Sequence, residues 1–322
     1  MSAPPSSREA PAPAESPTAS VSPSTPAAPA ASATAAPAAP SITVPFEAAI
    51  ADVPVHSIAF GEKRMAALAG GVAWIEEGAG WEKMPALPAD TSASRVFFGR
   101  DDRPRIMGSA GGEYVYLRFK NGAWKRGDEE IANLASKPRA PLYGVLGHAD
   151  PEVVCKLGGG CILKRRSGWT LFEPPALADP PRVELCGAEP WGFGGREVWK
   201  ITNGGFVPLK ATPTFERADG LWAVTENDVW VVERGADAIH HFDGARWSRA
   251  PSAIDGPRSV WASSAKDVWV VGDGGAALFD GASWRRVEGA PSRALTVFGR
   301  SAGDVWIGAE RGLFRRASGA AR

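Results

Sequence analysis

The sequence predicts an all-β chain built from one repeated four-strand unit, and three observations predict it. Short runs rich in Val, Trp and Phe, such as Val268-Trp269-Val270-Val271, are bounded by Gly, Asp and Ser and are too short for typical helices. Residues 259–284 string four such runs together through tight polar turns. The same unit precedes this stretch, in ADGLWAVTENDVWVVERGADAIHHFDGARW, and follows it, in ALTVFGRSAGDVWIGAERGLFRR. Self-similarity at about 40 residues is the mark of a propeller blade.

In chain order, residues 1–40 are almost wholly Ala, Pro, Ser and Thr, with Arg8, Glu9 and Glu15 the only charges. Such a tract cannot bury a core and reads as a disordered tether. The folded domain is expected over 41–318. Its outermost strands each open on an aromatic: Trp81, Trp124, Trp169, Phe206, Trp247 and Trp284. Trp247 precedes Trp261, and Trp284 precedes Phe298, by 14 residues; the same step back from Phe60 lands on Phe46. Phe46 is thus the seventh outer aromatic, supplied by the chain start. The prediction is a single seven-bladed β-propeller of four-stranded blades, closed by its N-terminal strand, which removes open edges.

The blades read as 53–87, 94–127, 141–174, 181–209, 218–251, 256–288, and 293–316 completed by SITVPFE (41–47). Pro45 is tolerable there because an outer strand has one unpaired side. Asp-Gly before Trp247 and Trp284 suits a type I′ turn. In a propeller the inter-blade loops share one face with the turns between second and third strands, and long loops on a rigid scaffold carry binding. Candidate binding residues on that face are Asp128, Glu129, Glu130, Arg139, Glu173, Arg182 and Arg217. Asp128 would also cap a helical turn in the longest connection.

Composition narrows function. The 36 basic and 36 acidic residues leave a net charge of +0, which argues against a nucleic-acid partner. No apolar run reaches membrane-spanning length, so a membrane enters only through a lipid anchor. Cys155 and Cys161 flank one turn on strands that should pair, leaving two readings, a cross-strand disulfide or two half-buried thiols. Cys186 is expected in the core.

Asp228, Asp267 and Asp304 recur at the turn into each second strand, and a residue repeated around a ring serves the scaffold; each is expected to cap its turn by accepting backbone N–H bonds. Trp230, Trp269 and Trp306 should pack between blades, with Trp222 and Trp261 nearer the axis. His240 and His241 are adjacent on a strand and point to opposite faces, so they cannot share a metal. No His, Cys or carboxylate spacing matches a zinc or calcium site, and no phosphate loop or nucleophile elbow is present. The sequence assigns no catalytic residue, cofactor or metal.

Asp-Val-Trp at 228–230, 267–269 and 304–306, with Asp-Gly-x-x-Trp after the first two, resembles the DVWAVG…DGxxW repeat propellers of myxobacterial-like lipoproteins and secreted proteins. It is loosely similar to the Asp-box (BNR) repeats of sialidases and to photosystem-assembly-factor propellers. The sialidase chemistry is not carried over: Arg105-Ile106-Met107 lacks the Pro of Arg-Ile-Pro, and Tyr114, Tyr116 and Tyr143 all lie in strand-like runs. The resemblance is specific for the fold and says little about activity; with no catalytic machinery visible, the expected function is a non-enzymatic binding or scaffold protein of the cell envelope, lipid-anchored or secreted, monomeric, taking a protein or glycan partner. The alternative is a carbohydrate-active hydrolase or lyase at the mouth of the central channel, for which Glu113, Glu173, Glu184, Glu189 and His148 are the scattered candidates. A cytoplasmic location is the alternative to the envelope.

Overall fold

The computed structural model describes residues 39–317, except 79, 100, 112, 128–141, 148–151, 157–160, 166–167, 173–181, 187–188, 195, 203–204 and 210–214. Among the described residues, the regular structure is all strand apart from one 3-10 turn, Arg234–Ala236. An opening segment carries β1 (Ser41–Thr43) and β2 (Phe46–Ala51). Four-strand meanders follow: β3 (Val55–Phe60), β4 (Met65–Ala69), β5 (Val72–Glu77) and β6 (Gly80–Lys83), then β7 (Thr91–Phe98), β8 (Pro104–Ala110), β9 (Glu113–Lys120) and β10 (Ala123–Arg126). Next come β11 (Leu142–Gly147), β12 (Glu152–Lys156), β13 (Cys161–Arg165) and β14 (Gly168–Phe172), and β15 (Arg182–Cys186), β16 (Glu189–Gly194), β17 (Glu197–Thr202) and β18 (Gly205–Pro208). The best-matched repeats are β19 (Gly220–Thr225), β20 (Asp228–Glu233), β21 (Ala238–Phe242) and β22 (Trp247–Pro251), and β23 (Pro257–Ser264), β24 (Asp267–Gly272), β25 (Gly275–Phe279) and β26 (Trp284–Glu288). The chain closes with β27 (Ala294–Ser301), β28 (Asp304–Ala309) and β29 (Gly312–Arg316).

Among the described residues six blades are four-stranded, not the seven predicted. The remaining sheet has five strands, ordered β1-β26-β25-β24-β23. The expectation of a uniform seven-bladed ring of four-stranded blades is therefore corrected, and the cause is at the chain start. SITVPFE is not one strand: β1 lies parallel to β26, with Ile42 opposite Val287, whereas β2 lies antiparallel to β29, with Phe46 opposite Arg316. Pro45 separates them, since it has no N–H to continue a ladder. The last four-stranded sheet is thus completed by the N-terminal β2.

Packing between sheets follows one pattern. The Trp two residues into a second strand meets the outer aromatic of the next sheet: Trp230 against Trp284 (5.9 Å), Trp269 against Phe46 (6.2 Å), Trp306 against Trp81 (5.7 Å). The three tryptophans are at most 3% exposed, and each such pair adds roughly 0.5–1.5 kcal/mol beyond area burial. Trp124 is buried and donates its indole N–H to the Pro85 carbonyl (2.9 Å), Phe206 packs edge-on to Trp199, and Trp247 packs on Phe242. The side chain of Trp169 lies outside the described residues, as do residues 1–38 of the expected tether and the expected helical turn at Asp128.

The Asp-Gly turns also need correction. Phe242 pairs with Trp247 and Phe279 with Trp284, so each loop has four residues, and only the Gly (Gly244, Gly281) takes positive φ. Type I′ would need two. The Asp carboxylate closes the loop instead: Asp243 Oδ1 accepts the N–H groups of Ala245 and Arg246, and Asp280 Oδ1 those of Ala282 and Ser283, all at 2.9–3.0 Å.

Candidate binding face

The meander sorts turns onto two ends of the blades. At one end lie the inter-blade loops and the β20–β21, β24–β25 and β28–β29 turns. There arginines and carboxylates form an arc. Asp219, whose N–H is fixed to the Val232 carbonyl, gives its own carbonyl to Arg182 (2.8 Å) and its carboxylate to the Arg234 N–H (3.1 Å) and the Arg217 guanidinium (3.6 Å). Arg234 reaches across to Asp273 Oδ2 (2.9 Å), while Arg258 donates twice to Asp273 Oδ1 (3.0 and 2.6 Å). Further round, Arg293 pairs with Glu310 (2.7 Å) and Arg311 lies 3.8 Å from Asp52.

Asp273 is the hub. It sits in the two-residue turn between Gly272 and Gly275, and Gly256, at φ +55°, leaves room for it: a Cβ there would stand 2.4 Å from Oδ2. Burial acts to raise the Asp273 pKa, but the hydrogen bonds and charge of Arg258 and Arg234 outweigh it and hold the carboxyl below its usual range. Beneath the arc, Glu233 anchors the loop that carries Arg217. Its Oε1 accepts the Glu216 (2.5 Å) and Arg217 (3.4 Å) N–H groups, and its Oε2 meets His240 Nε2 at 3.0 Å, with both side chains buried and Phe215 covering the ring. Burial opposes ionisation of Glu233, yet the bonds from His240, Glu216 and Arg217 keep its pKa below the ordinary value.

Of the predicted face residues, Arg182 and Arg217 converge on Asp219. Asp128, Glu129, Glu130, Arg139 and Glu173 lie outside the described residues. The sequence reasoning missed Asp219, Arg234, Asp273 and Glu310. The usable signal was that Arg234 and Asp273 stand 39 residues apart, one repeat length, in equivalent turns.

The opposite end holds the repeated Asp residues, two of which, Asp228 and Asp304, turn their carboxylates to side chains. Asp228 Oδ1 accepts the Trp230 indole N–H (2.8 Å) and contacts His241 Nε2 (2.8 Å); His241 is the cross-strand neighbour of Trp230 and stacks on it at 3.8 Å. Asp304 Oδ1 accepts the Trp306 indole (2.9 Å) and Arg315 Nε (3.1 Å), with Arg315 again cross-strand and over the ring. Asp267 instead receives Ser263 Oγ (2.5 Å), and the residue opposite Trp269 is Leu278. The role is structural all the same.

Toward the axis, Trp222, at 9% exposed, packs on Trp261 (6.2 Å) and Phe298 (5.3 Å), and Phe298 stacks on Phe60 (4.9 Å). Nearer the loop end, Arg95 on β7 donates to the Val183 carbonyl (2.9 Å) and ion-pairs with Glu184 on β15. His56 on β3 has its pKa lowered, mainly by desolvation, against a hydrogen bond it donates to the Ala93 backbone, which raises it. Glu189 is exposed, and nothing is described of the side chains of Glu113, His148 and Glu173. Among the described residues no three His, Cys, Asp or Glu side chains gather as a metal site would require. Cys155 and Cys161 are directly opposite in the β12–β13 register, their side chains outside the described residues. Cys186 is buried and free, and desolvation drives its pKa up.

No family model matches the chain, and no curated protein matches it. Solved structures do. YCF48 bound to D1 peptide superimposes with a TM-score of 0.65 at 16% identity, over 88% of this chain and 100% of that one. Virginiamycin B lyase from Staphylococcus aureus gives 0.62 at 14%, over 84% and 98%. The WD40 domain of Doa1 gives 0.59 at 9%, over 86% and 98%. The chain is a β-propeller. At these identities the likeness establishes that fold and nothing finer.

Proposed function

We propose that this chain is a non-enzymatic recognition module that binds a protein partner bearing an acidic segment through the loop end of its blades. One observation carries the reading. Arg217, Arg293 and Arg311 have side chains 70%, 70% and 86% exposed, each within 4 Å of a carboxylate. Guanidinium groups held this way suit carboxylate recognition. That YCF48 takes a peptide, and that WD40 propellers share the architecture, supports a protein partner. The hydrolase or lyase alternative draws less support, because Glu184, the described candidate on an inner strand, is engaged by Arg95. The finer likeness to DVW-repeat lipoproteins, and with it an extracytoplasmic, lipid-anchored or secreted location, belongs to the same proposal; intact mass of the native protein tests it, and an unmodified chain recovered from cytoplasm would refute it.

The binding test is quantitative capture from envelope extract. The wild-type chain is compared with the triple variant Arg217→Glu, Arg293→Glu, Arg311→Glu and with Arg246→Glu, an 85% exposed arginine in a loop at the other end. The triple variant should lose a stoichiometric partner at least tenfold and Arg246→Glu should retain it. Equal capture by all three would overturn the reading.

A further inference from the structure

We infer that the outer edge of the β23–β26 sheet is a peptide-binding site, built to receive an extended Ile-x-Val segment as an added parallel strand and filled by the chain's own residues 40–44. The site is independent of the loop-end arc. Ring closure does not need it, because β2 alone completes the last four-stranded sheet through its ladder with β29. What β1 does is separate: it adds a strand to a neighbouring sheet that already has the four strands of the other blades.

The edge is shaped for this ligand. The Arg286 N–H donates to the Pro40 carbonyl (2.9 Å) and the Val44 N–H to the Glu288 carbonyl (3.1 Å), bracketing the parallel register Ser41–Arg286, Ile42–Val287, Thr43–Glu288. Alternate side chains point inward, as strand addition demands. Val44 is 2% exposed within the main core cluster and Ile42 packs against that cluster, whereas Ser41 and Thr43 face solvent. The far end of the site needs glycine. Gly289 sits at φ +89°, and a Cβ there would meet the Val44 carbonyl oxygen at 2.8 Å. The segment is short, only three ladder residues, and the chain changes partner at Pro45: the Val44 N–H bonds the Glu288 carbonyl, while the Pro45 carbonyl accepts the Ala317 N–H (3.0 Å) on the β29 side. An identical segment from a second copy, or a peptide of the same pattern, meets the same donors, acceptors and apolar seats.

The experiment uses the full chain carrying Ile42→Asp and Val44→Asp, which withdraws β1 but leaves β2 intact, and a fluorescent peptide of residues 39–45 as probe. Saturable anisotropy binding to this variant is expected, at least tenfold tighter than to the wild-type chain, whose site is occupied. A peptide carrying the same two Asp substitutions should not bind. Adding Gly289→Ala to the variant should cut probe binding at least fivefold, with the thermal transition retained. Equal probe binding by wild type and variant, or none by a variant that still unfolds cooperatively, would overturn the inference. Should the double variant not fold, Val44→Ala serves in its place, with partial opening and a smaller gain in probe binding expected; no gain would again refute it.

Discussion

The two ends of the blades handle their carboxylates differently. At the end carrying the repeat motif, Asp228 and Asp304 are tied to indole N–H groups of their own strands, and Asp243 and Asp280 to backbone N–H groups of their own loops. The pKa of Asp280 is held low chiefly by the Ser283 and Ala282 amides, and that of Asp243 by the Arg246 and Ala245 amides. At the loop end, Asp273 is held low by arginines from two other strands and turns, against burial. Local partners recur with the repeat and make scaffold. At the loop end Asp273 draws Arg258 from its own sheet and Arg234 from the turn of the neighbouring one, and exposed guanidinium groups are left facing out.

The largest effect that could break this comparison is on stability. Trp306→Ala removes a buried side chain and its contact with Trp81, and should cost about 3–5 kcal/mol in denaturant unfolding. A loss below 1 kcal/mol would mean that the inter-blade aromatics are not the scaffold. Asp304→Ala comes next, at roughly 1–3 kcal/mol, since it strands the buried Trp306 indole N–H. Arg315→Leu, which gives that strand pair the apolar partner found beside Trp269, should cost less than Asp304→Ala; a larger cost would show the cation to be the anchor.

Acid sharpens the contrast. Glu233 and Asp273 titrate below their ordinary values when folded, so their contribution is complete above about pH 4.3, the unfolded range, and is lost as pH falls through the folded pKa values. Unfolding midpoints should therefore drop from pH 5 to pH 3, and Glu233→Gln should flatten part of that slope while lowering stability at pH 7. A steeper slope in Glu233→Gln would contradict the assignment. The smallest expected effect on stability is that of the triple arginine reversal at the loop end, within about 0.5 kcal/mol for each surface change.

Much of the fold was legible because the repeat carries its own register. The 14-residue step that led from Trp247 to Trp261 also located Phe46, which does pack on Trp269. What stayed hidden depended on cross-strand neighbours. Asp228, Asp267 and Asp304 look identical in sequence, yet His241, Leu278 and Arg315 stand opposite the following Trp and decide what each carboxylate meets. The break at Pro45 was visible as a residue but not as a change of sheet, because nothing local to SITVPFE says that its two halves pair with different partners. The loop-end arc was half legible: Arg182 and Arg217 stood out as loop residues, but Asp219 and Asp273 read as ordinary turn formers.

The most direct test of the division between the two ends pairs stability with binding in one variant. Arg217→Glu, Arg293→Glu, Arg311→Glu should unfold at the wild-type denaturant midpoint while capturing at least tenfold less of the envelope partner, with wild-type capture itself weakening as salt rises. A variant that unfolds several kcal/mol early, or that captures the partner as the wild type does, would contradict the account and return the loop end to the scaffold.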